Sequence, residues 1–106
     1  MADRSRLETL LQMVRDDPED AFSRYALALE YKKLDDTHRA LTELEEVIRR
    51  HPDYAAAYFM AGQYLEGEGR RIEAAARLRE GIGAARRSKD QHALSEMQDF
   101  LESLNA

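Results

Sequence analysis

Apolar residues recur every three or four positions along nearly the whole chain, and turn-forming residues interrupt this spacing five times. In the third segment, for example, Leu41, Leu44 and Ile48 fall on one face. Such spacing is typical of amphipathic helices, since 3.6 residues complete one helical turn. No alternation of the kind that marks a half-exposed strand is present. The pattern predicts an all-α chain with helices over about 6–15, 18–34, 38–50, 54–66 and 70–85, and a sixth that follows Ser88 and ends near 104.

Residues that cap helices lie at two of the predicted starts. Ser5 with Glu8, and Ser88 with Gln91, have the spacing of a capping box, in which each side chain satisfies a free backbone amide. We therefore expect these serines to precede the first and the last helix.

Proline and glycine mark the remaining boundaries. Asp17 followed by Pro18 predicts the start of the second helix, because proline in a first turn has no amide to leave unpaired. Connections of two to four residues make successive helices antiparallel neighbours. The predicted turns are 35–37, 51–53 and 67–69.

The sequence also matches itself after a shift of 34 residues. A fixed period of this length is typical of stacked helical repeats, in which each unit buries its apolar face against its neighbours. The first helix then aligns with the second half of a repeat. We expect one domain over 1–106, made of a half repeat (1–17), two full repeats (18–52 and 53–87) and a capping helix (88–106). The matched pairs include Pro18 with Pro52, Ala21 with Ala55, Ala40 with Ala74, Leu44 with Leu78 and Ile48 with Ile82.

These positions resemble the tetratricopeptide repeat, a 34-residue helix–turn–helix unit. Leu27, Ala28, Tyr31, Ala40 and Pro52 stand at its characteristic positions in residues 21–54, and Tyr58, Gly62, Ala74 and Leu78 do so in residues 55–88. The departures are Arg24 at the tryptophan position, Leu65 at the tyrosine, Gly81 at an alanine and Arg86 at the second closing proline. The resemblance implies a right-handed stack of antiparallel helix pairs.

Family members bind protein segments in a concave groove lined by the first helix of each repeat, and the resemblance implies the same here. The second helix carries an apolar stripe beyond the one that its packing requires, and aromatic anchors in a concavity favour peptide binding. No positive charge stands at Tyr25, Leu29, Ala56, Met60 or Gln63, so an apolar or helical segment is favoured over a charged tail. The predicted groove residues are Phe22, Tyr25, Leu29, Lys32, Lys33, Phe59 and Gln63.

Two alternatives remain open from the sequence. The terminal helices could cover Phe22, Tyr25 and Phe59, which would make these side chains structural. The chain could also be a self-associating subunit of an assembly, for instance a weak homodimer, because two to three repeats barely suffice for stability.

Charge narrows the choice of partner. A net charge of −5 argues against nucleic acid. Residues 69–89 nevertheless hold seven basic residues against two acidic ones. These form either a solvated face, with Glu73 and Arg77 paired one turn apart, or a docking patch for an acidic partner.

Catalysis is not expected. His38, His51 and His92 lack the spacing of a helical metal site, and capping or ion pairing accounts for the acidic pairs. We expect no cofactor and no metal. The N-terminal segment lacks the apolar run of a signal peptide or a membrane span, and cysteine is absent, so a cytoplasmic protein is expected.

Overall fold

The computed structural model describes residues 3–105, and this part of the chain consists of six α-helices without a β-strand. The all-α prediction is therefore confirmed. Apart from the start of the second helix, the observed ends lie within two residues of the predicted ones. The helices are α1 (Ser5–Asp16), α2 (Ala21–Lys33), α3 (Thr37–Arg50), α4 (Ala55–Gly67), α5 (Arg71–Arg87) and α6 (Gln91–Leu104).

Each helix packs against the next one in the chain, and α4 also contacts α6. The result is a two-layer stack, with α2, α4 and α6 in one layer and α1, α3 and α5 in the other. The pairs α2–α3 and α4–α5 are the two full repeats, α1 is the half repeat and α6 closes the stack, as the 34-residue period predicts.

Small side chains lie where helices cross closely. Ala28, Ala40, Ala61 and Ala74 are completely buried between the two pairs. Larger side chains fill the space between successive turns, since a protein interior is close-packed. The largest completely buried side chains are Leu27, Leu44, Val47, Leu78 and Met97.

Gly81 allows the closest of these approaches. A Cβ at this position would lie 2.5 Å from Tyr58 Cβ and 2.5 Å from Met97 Sδ. The departure from the family's usual alanine thus follows from the close approach of both Tyr58 on α4 and Met97 on α6. Gly69 has a different role, because its φ of 77° lies in the left-handed region that glycine adopts without strain.

Both predicted capping boxes are wrong. Ser5 lies inside α1, and its amide donates to Asp3 Oδ1 at 2.9 Å. Ser88 follows α5, and its hydroxyl donates back to the Ala84 carbonyl at 2.9 Å. Asp90 caps α6 instead, since its Oδ1 accepts from the Ala93 amide at 3.0 Å. A carboxylate is a stronger acceptor than a hydroxyl, and the serine spacing alone does not reveal it.

The second helix begins three residues later than predicted. Residues 17–20 form a loop, and α2 starts at Ala21. The Pro18 carbonyl accepts hydrogen bonds from Arg24 Nη2 at 3.2 Å and from Arg50 Nη1 at 3.3 Å. At the equivalent place, the Pro52 carbonyl accepts from Arg87 Nη2 at 3.1 Å. Arg50 and Arg87, at the ends of α3 and α5, therefore tie down the loop that opens each helix pair.

One other expectation is corrected. Glu73 pairs with Arg70 at 2.6 Å, while Arg77 bridges to Glu45 on α3 and pairs with Glu80 on α5 at 2.7 Å. Both partners of Arg77 therefore differ from the expected Glu73. On α1, Met13 is 42% exposed, because no helix among the described residues covers that side of α1.

Candidate functional site

Four of the predicted groove residues line one depression beside α2. Phe22, Tyr25, Leu29 and Lys33 border a space of about 270 Å³. Phe22 is 65% exposed, whereas Tyr25 and Leu29 are half-buried against the core. Because 22, 25, 29 and 33 are spaced three or four apart, a regular helix presents them on one side. The sequence prediction placed these residues together for the same reason.

A charged pair stands at the rim of this depression. Glu30 is 5% exposed, and its Oε1 lies 3.4 Å from Nε of Arg6 on α1. The Arg6 side chain is itself largely exposed. A carboxylate this buried is stabilised by a cationic partner. Sequence reasoning missed this pair, since nothing in the spacing relates two residues 24 positions apart.

Three tyrosines lie between α2 and α4. The rings of Tyr25 and Tyr54 are 5.5 Å apart and tilted by 56°. Burial raises the pKa of Tyr64 to about 12, with a smaller contribution from Tyr25. The pKa values of Tyr25 and Tyr54 are raised as well, mainly by burial. These phenols therefore stay neutral at physiological pH, and they contribute no negative charge to the contact between α2 and α4.

Lys32 contacts this tyrosine cluster, so its ammonium group is not free to bind a ligand at the edge of the groove. Its Nζ lies 5.4 Å from the centre of the Tyr64 ring, in the range of a cation–π contact. The same Nζ donates a hydrogen bond to Thr37 Oγ1 at 3.1 Å. Lys33, one residue on, is exposed and borders the depression of Phe22.

The structure does not bring Phe59 and Gln63 to the same depression. Phe59 packs edge-to-face against Phe100 of α6, with ring centres 6.1 Å apart. It is half-buried in the second core cluster, and Gln63 is half-buried one turn on. The terminal helix α6 therefore covers Phe59, whereas the Phe22 side chain remains exposed to solvent.

Phe100 itself was missed because of the length of α5. The first helices of the two full repeats start 34 residues apart, but α6 starts 36 residues after α4. Helix α5 has 17 residues, against 14 for α3. This difference shifts α6 relative to the repeat period, so the period alone cannot pair Phe100 with Phe59.

A metal site, a membrane-spanning helix or a catalytic histidine would each require particular features within residues 3–105. No group of three acidic or histidine side chains in this range could hold a metal ion. The same residues include no helix that is both long and apolar enough to cross a membrane. His51 Nε2 is buried without a hydrogen-bond partner, and no acidic or nucleophilic group is paired with it.

Solved structures resemble this fold closely. A tetratricopeptide repeat domain protein from Salinibacter ruber is 41% identical, with a TM-score of 0.79, and the match covers 83% of this chain and 89% of the other. The chain belongs to the tetratricopeptide repeat family. A protein from Bordetella parapertussis is 30% identical with a TM-score of 0.79, over 99% of this chain and 89% of its own.

A third tetratricopeptide-like neighbour shows the shared fold alone. MamA is 23% identical with a TM-score of 0.74, and the match covers 78% of this chain and 48% of MamA. No protein-family model matches the sequence, and no curated protein matches it at a significant level. Tetratricopeptide domains are generally non-enzymatic modules for protein–protein interaction.

Proposed function

We propose that this tetratricopeptide domain is a non-enzymatic interaction module that binds an apolar, helical segment of a partner protein in its short groove. Phe22 carries the proposal, since it is 65% exposed whereas the other apolar groove residues are half-buried, so its ring has the most apolar surface left to remove from water on binding. Tyr25 and Leu29 border the same depression, and they can shield the partner side chain from solvent.

Charge supports an apolar segment over an anionic tail. Lys32 is already engaged with Tyr64 and Thr37, and Arg6 already pairs with the carboxylate of Glu30. Lys33 is left as a single cation at the rim. One exposed lysine can orient a partner but provides little affinity. The net charge of −5 also disfavours a nucleic-acid ligand.

A selected peptide tests the proposal directly. Sixteen-residue peptides from a displayed random library are selected on the protein, and the best binder is measured by fluorescence anisotropy. We expect Phe22→Glu to raise its Kd about tenfold or more, because a carboxylate would have to be desolvated in the interface. Met13→Glu is the matched control, since Met13 is an exposed apolar residue on α1 outside this depression and should leave the Kd unchanged.

The opposite result would overturn the groove assignment. If Phe22→Glu binds as well as the parent while circular dichroism shows an intact fold, the segment docks elsewhere. Sedimentation of the free protein separates the self-associating alternative. A mass twice the 12.2 kDa of the chain, lost in Phe22→Glu, would mean that the depression is occupied by a second copy.

A further inference from the structure

A second surface lies on the opposite end of the stack, on α5. Ile72 is 88% exposed, the largest exposed fraction among the large apolar side chains of residues 3–105. It borders a depression of about 300 Å³ together with Ala75 and Arg79 of α5 and with Leu104, at the end of α6. A single exposed isoleucine is common on a protein surface, so the case for a binding surface depends on what surrounds Ile72.

The 34-residue period identifies what this surface corresponds to inside the molecule. Subtracting 34 from Ile72, Ala75 and Arg79 gives His38, Leu41 and Glu45 of α3. Those three residues border a depression of about 400 Å³ whose opposite wall includes Arg70, which precedes α5, and Glu73 and Arg77 of α5. The surface on α5 is thus the same depression one repeat later, and residues 3–105 provide no helix for its opposite wall.

The charge at Arg79 indicates which kind of helix could form the opposite wall of the depression on α5. In the internal contact, Glu45 is bridged by Arg77 of the next helix. At the open surface the equivalent of Glu45 is Arg79, so the sign is reversed. Within residues 3–105 no carboxylate lies in ion-pair distance of Arg79, whereas Arg70, Arg77 and Arg87 are each paired.

Arg86 extends the same side of α5. It stands seven residues after Arg79, which is two helical turns on the same face, and it is exposed without a carboxylate in ion-pair distance among the described residues. The open surface therefore consists of Ile72 and Leu104 at one end and, along its length, the guanidinium groups of Arg79 and Arg86, which have no carboxylate partner within residues 3–105.

We propose that an amphipathic helix of a partner protein, with acidic residues on its docking side, binds along α5 and α6 in the position that α5 takes relative to α3 and α4. In the proposed complex, an acidic side chain of the partner pairs with Arg79. The equivalent contact inside the molecule is the one between Glu45 and Arg77. An apolar side chain covers Ile72 and Leu104. This surface is separate from the groove at Phe22.

A second copy of the chain fits this surface less well. Its α1 is the helix that would take the place, because α1 aligns with α3 and α5 in the repeat. At the position of Arg77, however, α1 has Thr9, which cannot pair with Arg79. Arg6 also stands where Ala40 and Ala74 are completely buried, and its long side chain prevents an equally close approach to α6.

The chain itself provides a probe. A fluorescein-labelled peptide of residues 36–51 has the sequence of α3, and it has Glu43 at the position of Arg77. Docked in the repeat geometry, it places a carboxylate opposite Arg79. A peptide with Glu43→Arg is the matched control, since it presents a like charge and should bind about tenfold more weakly. Fluorescence anisotropy gives both Kd values.

Charge reversal on the protein completes the test. We expect Arg79→Glu to raise the Kd of the parent peptide about tenfold and to restore binding of the Glu43→Arg peptide. Arg79 is exposed and forms no ion pair within the described part of the chain, so the fold should survive the substitution. In ¹⁵N-labelled protein, amide shifts should concentrate at Ile72, Arg79 and Leu104, and Phe22→Glu should leave them unchanged.

Three results would overturn the proposal. One is the absence of any amide shift at millimolar peptide. Another is a set of shifts centred on Tyr25 and Phe22, which would place the peptide in the groove. The third is a protein mass that doubles without peptide and returns to 12.2 kDa in Arg79→Glu, which would identify the occupant as a second copy.

Discussion

Individual residues in this domain are constrained by how closely two helices approach. Gly62 and Gly81 are both helical, and a Cβ at either would come within 3 Å of a neighbouring side chain. At Gly62 the neighbour is the flexible end of Leu78, at 2.9 Å. At Gly81 it includes the Cβ of Tyr58, which cannot move without its backbone. The second position is therefore the stricter of the two.

Gly81→Ala should lower the free energy of unfolding by about 1–3 kcal/mol, because overpacking outweighs the better helix propensity of alanine. Gly83 is the matched control on the same helix. A Cβ there would meet only the Arg87 Nη1 atom, at 3.4 Å, so Gly83→Ala should raise stability by up to ~1 kcal/mol. Urea denaturation followed by circular dichroism measures both. Equal stability of the two variants would contradict the close-packing account.

The sequence shows that Gly81 stands where the family usually has alanine, but it does not show the reason. Its neighbours Tyr58 and Met97 are 23 and 16 residues away, on different helices. Likewise, Arg24 stands at the tryptophan position and pairs with Glu43 of α3 at 2.9 Å, with both side chains mostly buried. Local spacing cannot reveal either contact, because each depends on how two helices come together.

At the level of elements, the helices and nearly all of their ends were predictable, but the residues that cap them were not. The spacing of Leu41, Leu44 and Ile48 requires one apolar face whatever the helix packs against. A helix start depends instead on competition between acceptors over a few residues, and aspartates compete well. Asp36 caps α3 by accepting from the Arg39 amide at 3.1 Å, as Asp90 caps α6.

Asp90→Ala should therefore destabilise the domain by about 1 kcal/mol, since it removes the acceptor for the Ala93 amide. Ser88→Ala tests the capping box that the sequence suggested, and it should change stability by much less, because the Ser88 hydroxyl points back to α5. Thermal unfolding of the two variants at pH 7 decides between them. A larger loss for Ser88→Ala would favour the capping box.

The whole molecule is a linear stack, so its cohesion varies along the chain. The two larger core clusters share α4 and α5, whereas the third joins only α1 and α2. In α1 only Leu7 and Leu10 are buried. In such repeat proteins the stability of each helix depends on its neighbours, and within residues 3–105 α1 packs against α2 alone.

Native-state hydrogen exchange should report this gradient. We expect amides in α4 and α5 to be the most protected and those in α1 to open with the lowest free energy. Leu10→Ala should speed exchange throughout α1 while leaving the protection of α5 nearly unchanged. Uniform protection from α1 to α5, or a uniform loss in Leu10→Ala, would mean that the stack opens as one unit.

The candidate groove was predictable only where its residues lie on a single helix. Phe22, Tyr25, Leu29 and Lys33 lie on one helix, so the helical period places them together. Phe59 requires the position of α6, which depends on the length of α5. The surface at Ile72 and Arg79 became apparent only by comparing two equivalent places in the folded repeats.

The arginines that hold the Pro18 and Pro52 carbonyls have a mechanical consequence. Each one joins the entrance of a helix pair to its far end, so a force that pulls the chain termini apart must break this link before the pair can unfold. Helix α1 lies outside both links. In single-molecule stretching we expect α1 to unfold first at low force. The pairs α2–α3 and α4–α5 should then unfold in separate steps at higher force, so the domain would lengthen in stages as the load increases.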